Sequence, residues 1–181
     1  FKALTKECDY DETEHLSEDE DHSFFVSGTD AEAKLVKVWY GVEPDLRRSD
    51  QSLRLLSFLE RARTLKGCEL RGVPRILDFG LSRRSLILVM PWAQGVTLPD
   101  WLHSNPTTAQ RLAVATSLVA TLQRLHAIEL AHGDVHPGNV VVTASGDPLL
   151  IDLLDFRRDA ADVYTTAYLP ENYKSLTPFE R

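Results

Sequence analysis

Apolar residues along this chain recur in two rhythms, and the switches between them mark out its elements. Residues 23–27 and 33–40 carry the short, β-rich pattern of strands, and Gly28-Thr29-Asp30 between them reads as a hairpin turn. Residues 1–6 form a further candidate strand. Over residues 47–66 the rhythm becomes helical. Leu55, Leu59 and Ala62 fall on one stripe, and Leu53, Leu56 and Glu60 on an adjoining one. Ser49 or Asp50 suits the N-cap, Gly67 marks the end, and Gly72-Val73-Pro74 keeps the helix from resuming. Residues 75–81 and 85–90 read as strands around Ser82-Arg83-Arg84. A linker at residues 91–95 leads to a short helix at 98–103 and a long one at 107–127. Thr107 or Thr108 suits the cap of the long helix, and Leu112, Leu118, Leu122 and Leu125 are predicted to supply much of its buried face. Residues 140–142 and 149–151 are two last strands around a turn-rich segment.

Composition narrows the picture. The 181 residues are 43% hydrophobic, which is globular and long enough for a sizeable core. A net charge of −7 speaks against a general nucleic-acid role. Cys8 and Cys68 are spaced for neither a metal pair nor a disulfide framework, so a reducing, cytoplasmic compartment is expected. No apolar run approaches the ~20 residues of a membrane span, and no signal-peptide pattern is seen, so no membrane partner is expected. One segment is compositionally biased. Residues 8–21 hold Asp9, Asp11, Glu12, Glu14, Glu18, Asp19, Glu20 and Asp21, and a solvated loop is expected there.

The chemistry concentrates late in the chain. Residues 132–139 read His-Gly-Asp-Val-His-Pro-Gly-Asn, and Asp152 closes the apolar run Leu149-Leu150-Ile151. One carboxylate able to orient an attacking hydroxyl, with an amide and a second carboxylate able to hold a cation, is the set that phosphoryl transfer from a magnesium nucleotide needs. His-x-Asp alone is common. His-x-Asp-x-x-x-x-Asn followed by strand, turn, strand and Asp is not. The alternative is that Asp134 caps a turn and Asn139 sits in one beside Pro137 and Gly138.

This pattern resembles the catalytic loop and metal-binding segment of the protein-kinase-like superfamily. The His-Gly-Asp form is most similar to the bacterial and small-molecule branches, the aminoglycoside phosphotransferases among them. The resemblance covers roughly residues 23–175. It implies an α+β, two-lobed kinase-like fold: a small β-rich N-lobe with one helix over residues 1–90, a hinge at 91–95, and the first part of a helical C-lobe over 96–181. A chain that begins at Phe1 without Met and stops soon after a catalytic segment is expected to be part of a larger multidomain protein.

The resemblance assigns further residues. Lys37, inside the apolar strand Leu35-Val36-Lys37-Val38-Trp39, stands where the family grips the nucleotide phosphates. A lysine there needs a partner, unless it points out from a solvated face. Glu60 stands where a glutamate braces that lysine; the alternative is a surface pairing with Arg63. Residues 88–95 resemble the inter-lobe hinge, with Met90 at the back of the adenine pocket, the Pro91 carbonyl as acceptor and the Ala93 N–H as donor.

Departures from the family pattern matter as much. Asp152 is followed by Leu153-Leu154, which removes the glycine of a kinase-style flip. His136 replaces the lysine of serine/threonine protein kinases and points to the small-molecule branch. Residues 165–171 resemble the end of an activation segment and point to a protein substrate. The place of the glycine-rich phosphate loop holds the acidic run instead, and carboxylates there repel a triphosphate. What the resemblance implies is an ATP- and Mg2+-dependent kinase acting on serine/threonine hydroxyls of a protein. Asp134 orients the hydroxyl, Lys37 and Glu60 act on the phosphates, and Asn139 and Asp152 hold the metal. A small-molecule kinase and a pseudokinase binding module are the alternatives.

Overall fold

The computed structural model describes residues 13–18, 22–29, 32–42 and 49–156, with the backbone alone at 13–18 and 49–50. The chain divides into two compact units. One runs to Glu69 and includes Arg75–Trp92; the other joins Leu70–Pro74 to the chain from Ala93 onward.

The first unit holds strands β1 (Thr13–Glu18), β2 (His22–Ser27), β3 (Lys34–Tyr40), β4 (Asp78–Ser82) and β5 (Ser85–Pro91), with helix α1 (Ser49–Gly67) between β3 and β4. They form one antiparallel sheet in the order β1-β2-β3-β5-β4. The unbroken apolar run of β5 is buried along Ser85–Met90 because the strand lies between β3 and β4 with both faces covered. On one face, Phe25, Val36, Val38, Ile87 and Val89 pack as a cluster, flanked by Tyr40 and Leu77. On the other, Trp39 meets Phe58 of α1 edge to face, with ring centroids 5.3 Å apart.

Two expectations are corrected here. The acidic stretch is not all loop, because Thr13–Glu18 is strand β1, paired from Thr13↔Ser27 to Glu18↔Ser23. An edge strand needs only one partner and tolerates charge on its open side. Helix α1 is turned relative to its predicted stripes. Leu55, Phe58, Ala62 and Leu65 are buried, Leu59 is half-buried, and Leu53 and Leu56 stand in solvent at 65% and 61% exposure. The helix ends on a Lys66–Asp78 ion pair of 2.9 Å, whose hydrogen bond holds the Asp78 carboxyl below its ordinary value. The predicted strand at residues 1–6 and the activation-segment resemblance at 165–171 lie outside the described residues.

The second unit contains β6 (Val96–Thr97), α2 (Leu98–His103), α3 (Thr108–Ala127), β7 (Val140–Val142) and β8 (Pro148–Leu150). Its sheet runs β6-β7-β8. Thr107, one of the two cap candidates, caps α3 through a capping box with Gln110. The buried line of α3 is Val114, Thr121 and Leu125. Leu118 and Leu122 are half-buried, and Leu112 is 66% exposed. Leu112 precedes Val114 by two residues, about 200° around a helix, and so faces away from that line.

Leu70–Pro74 goes with this unit through several ties. Gly72 O accepts Leu150 N–H at 2.8 Å. Arg71 O accepts from Thr121 Oγ1 and Arg124 Nη1, and the Arg71 guanidinium pairs with Asp147 at 3.2 Å. Gly72 has φ +93°, and an added Cβ would run into Thr121 Oγ1, so only glycine fits. The Gly-Val-Pro segment, read from sequence as a helix stop, is also an anchor.

Candidate active site

The loop before β7 is organised by two histidines. His132 is buried, and its Nδ1 accepts the Asp134 N–H at 3.3 Å. The ring proton therefore sits on Nε2, which donates to Ile151 O at 2.9 Å. Ile151 N–H in turn donates to Asn139 O at 2.8 Å. Both backbone groups of Ile151 are thus tied to the loop that carries Asp134 and Asn139. Asp152 follows immediately, at φ +65°. An aspartate tolerates that left-handed backbone better than most side chains. Leu153 and Leu154 are buried behind it, in place of the phenylalanine and glycine of the family pattern.

Asp134 and Asn139 are buried and in contact. Asn139 Nδ2 donates to Asp134 O at 3.0 Å and approaches Asp134 Oδ2 at 3.3 Å. Two oxygen acceptors on one nitrogen fix the orientation of the amide. Its Oδ1 is then an acceptor that no described residue engages, and a hard oxygen of this kind suits a divalent cation. Pro137–Asn139 forms a single 3-10 turn, capped by His136, whose Nδ1 accepts from Gly138 N–H at 3.1 Å. Short ties within one unit thus join the loop of Asp134 and Asn139 to the segment that carries Asp152. Among the described residues there is no cluster of three or more His, Cys, Asp or Glu suited to hold a metal by itself.

The remaining site residues belong to the first unit, apart from Ala93. Lys37 is buried at the centre of β3, in register with Phe24 of β2 and Leu88 of β5. Its Nζ stands 5.0 Å from the centroid of the Phe24 ring. It shares its sheet face with Trp39, on which α1 packs. The outward-pointing alternative for Lys37 is thereby excluded. Glu60 does not brace it here. It lies on the exposed side of α1 near Leu53 and Leu56, because the helix is turned as described. The charged group turned inward at this point is its neighbour Arg61, and burial lowers the pKa of that guanidinium. Met90 is buried at the end of β5, and Pro91 is in register with Lys34. Trp92 N–H is taken by Ala33 O at 2.8 Å, while the Ala93 N–H has no partner among the described residues. The chain passes from one unit to the other between Trp92 and Ala93.

Two contributors escaped the sequence reading. His132 was visible in its motif, but its two-sided bridge needs the β7–β8 pairing to be seen. His136 was noted only as a replacement, although its Nδ1 caps the turn through Gly138 N–H.

A five-stranded antiparallel sheet with one helix, followed by a unit whose capped loop is stitched to an Asp-bearing strand end, defines a member of the protein-kinase-like superfamily. Within it, the chain belongs to the ABC1 atypical kinase-like domain family, whose model matches residues 60–160. Over 100 residues the chain is 35% identical to the serine/threonine-protein kinase pkn2 of Myxococcus xanthus, a stretch covering 55% of this chain and 12% of that protein. The fold is similar to that of the apo form of PpkA-294, with TM-score 0.59 and 16% identity, over 77% of this chain and 56% of the other. It is similar in the same degree to the M. tuberculosis PknI kinase domain, with TM-score 0.59 and 19% identity, over 77% and 55% of the two chains. The chain thus spans only part of the length of each relative.

Proposed function

We propose that this chain carries an ATP- and magnesium-dependent phosphotransferase whose acceptor is a serine or threonine hydroxyl of a protein. The observation that supports this most is the double tie of Ile151, which sets Asp152 beside the loop of Asp134 and Asn139. In the reaction, the acceptor oxygen attacks the terminal phosphorus and ADP departs with the bridging oxygen. Asp134 orients the acceptor hydroxyl and takes its proton. Asn139 Oδ1 and Asp152 supply oxygens that fit magnesium, which when bound neutralises charge on the phosphates. Lys37 is the phosphate-binding cation, and its burial makes it a stronger partner for an anion than a surface lysine. Met90, the Pro91 carbonyl and the Ala93 N–H serve the adenine.

The protein acceptor is supported by the name of the M. xanthus relative, a serine/threonine-protein kinase. His-Gly-Asp and His136 favour a small-molecule acceptor, and a panel of small alcohols tested beside protein acceptors separates the two. A third reading, a regulatory binding module, is favoured by two observations. The sequence between residues 18 and 22 is Asp19-Glu20-Asp21, without a glycine, and Glu60 is in solvent. Asp134→Asn decides between enzyme and module. Phosphotransfer should fall by ~10²–10⁴-fold, the range of a positioned acid or base, with ATP binding kept. Undiminished transfer would remove Asp134 from the reaction.

A further inference from the structure

We propose that His136 is a positioning residue for Asp134, holding the carboxylate with one ring nitrogen while the other is committed to the loop backbone. The inference rests on the reading of Asp134 as the group that orients the acceptor hydroxyl. Three observations carry it.

First, the Gly138 N–H donates to His136 Nδ1 at 3.1 Å. A ring nitrogen that accepts carries no proton, so in the neutral imidazole the proton is on Nε2. Second, Nε2 stands 3.6 Å from Asp134 Oδ2. That is just beyond hydrogen-bond length, and catalytic contacts of this kind commonly tighten when substrate binds. Asn139 Nδ2 approaches the same oxygen at 3.3 Å, so two N–H groups converge on Oδ2 and set the plane of the carboxylate. Third, the ring packs directly over Gly138, where an added Cβ would lie 2.8 Å from Cε1 and 3.1 Å from Nδ1. The Pro-Gly that follows His136 is what admits the imidazole. One nitrogen of His136 therefore serves the loop and the other serves Asp134.

Two substitutions separate these services. In His136→Asn, the side-chain oxygen can still cap Gly138 N–H, but nothing reaches the position of Nε2. In His136→Gln, an amide N–H reaches that position again. The proposal expects His136→Asn to keep the thermal midpoint and the KM for ATP of the parent chain. It should lose about ten- to a hundredfold in kcat, as loss of an orienting partner commonly does. His136→Gln should recover most of that loss. Parental kcat in His136→Asn, or equal losses in both variants, would overturn it.

A second readout needs no turnover. Nitrogen-15 imidazole spectra of the full chain, taken above the ordinary histidine range, report which nitrogen bears the proton. The expected tautomer has the proton on Nε2, with a resonance that shifts in Asp134→Ala. A proton on Nδ1, or no response to Asp134→Ala, would overturn the proposal. If no acceptor is phosphorylated by the parent chain, the reaction reading falls, and the spectra alone decide the role of His136.

Discussion

His132 shows how one side chain can join two segments. Each of its ring nitrogens has a specific backbone partner, the Asp134 N–H on one side and the Ile151 carbonyl on the other. Replacing it with leucine keeps the bulk and leaves both backbone groups without that partner. An unmet buried polar group costs ~1–3 kcal/mol, so His132→Leu should lower unfolding free energy by about that much in a denaturant titration. No change would mean that the two segments are held by other means. The connection between the loop of Asp134 and Asn139 and the segment of Asp152 was legible in the sequence because the spacing is carried by a short loop and a tight two-strand unit. That leaves little freedom for error. Glu60 was not legible, because a helix register wrong by one step moves a residue from one face to the next. The same uncertainty hid Phe58 and Leu65 from the predicted core, while Lys37 was recognisable because a cation inside an apolar strand already needed explaining.

At the level of elements, α3 tests how far apolar periodicity can be trusted. Its leucines are numerous enough to draw more than one stripe, and only packing selects among them. Leu125 is fully buried, whereas Leu112 is 66% exposed. Leu125→Ala should cost ~2–5 kcal/mol, the range for a truncated core leucine. Leu112→Ser should lie within about 0.5 kcal/mol of the parent, as surface changes do. Equal effects in denaturant melts would mean that the buried line of α3 is misassigned. The strands were easier to place, since β5 is buried on both faces and β7 and β8 are bounded by turn residues. Strand β1 was missed because its charges outweighed its pairing potential in any reading without the partner strand. The segment after α1 gives a sharper test. Gly72→Ala sets a methyl group against Thr121 at a left-handed backbone position, and overpacking of this kind costs ~1–3 kcal/mol. Gly72→Ala combined with Thr121→Ser should recover little, because Thr121 Oγ1 remains in the way; full recovery would place the clash elsewhere.

For the whole molecule, the residues named in the proposed function are drawn from both units. The cation-bearing strand, Met90 and Pro91 belong to one, and the carboxylates and the amide to the other. The kinase-like class was legible from the His-x-Asp-x-x-x-x-Asn motif together with the order of elements. The three-stranded β6-β7-β8 sheet and the affiliation of Leu70–Pro74 were not, since both depend on contacts far apart in sequence. Among the described residues, no helix is long and apolar enough to cross a membrane. The main constraint on that proposal is electrostatic. A chain of net charge −7, with Asp19-Glu20-Asp21 where the family places glycines, must still attract a polyanion if it is an enzyme. In the proposed function, magnesium held by Asn139 and Asp152 would offset this charge. The most direct measurement is ATP binding by calorimetry with and without magnesium, on the parent chain and on Asp152→Asn. Binding is expected to require magnesium and to be lost in Asp152→Asn. Binding indifferent to both, or no binding at millimolar ATP, would contradict it.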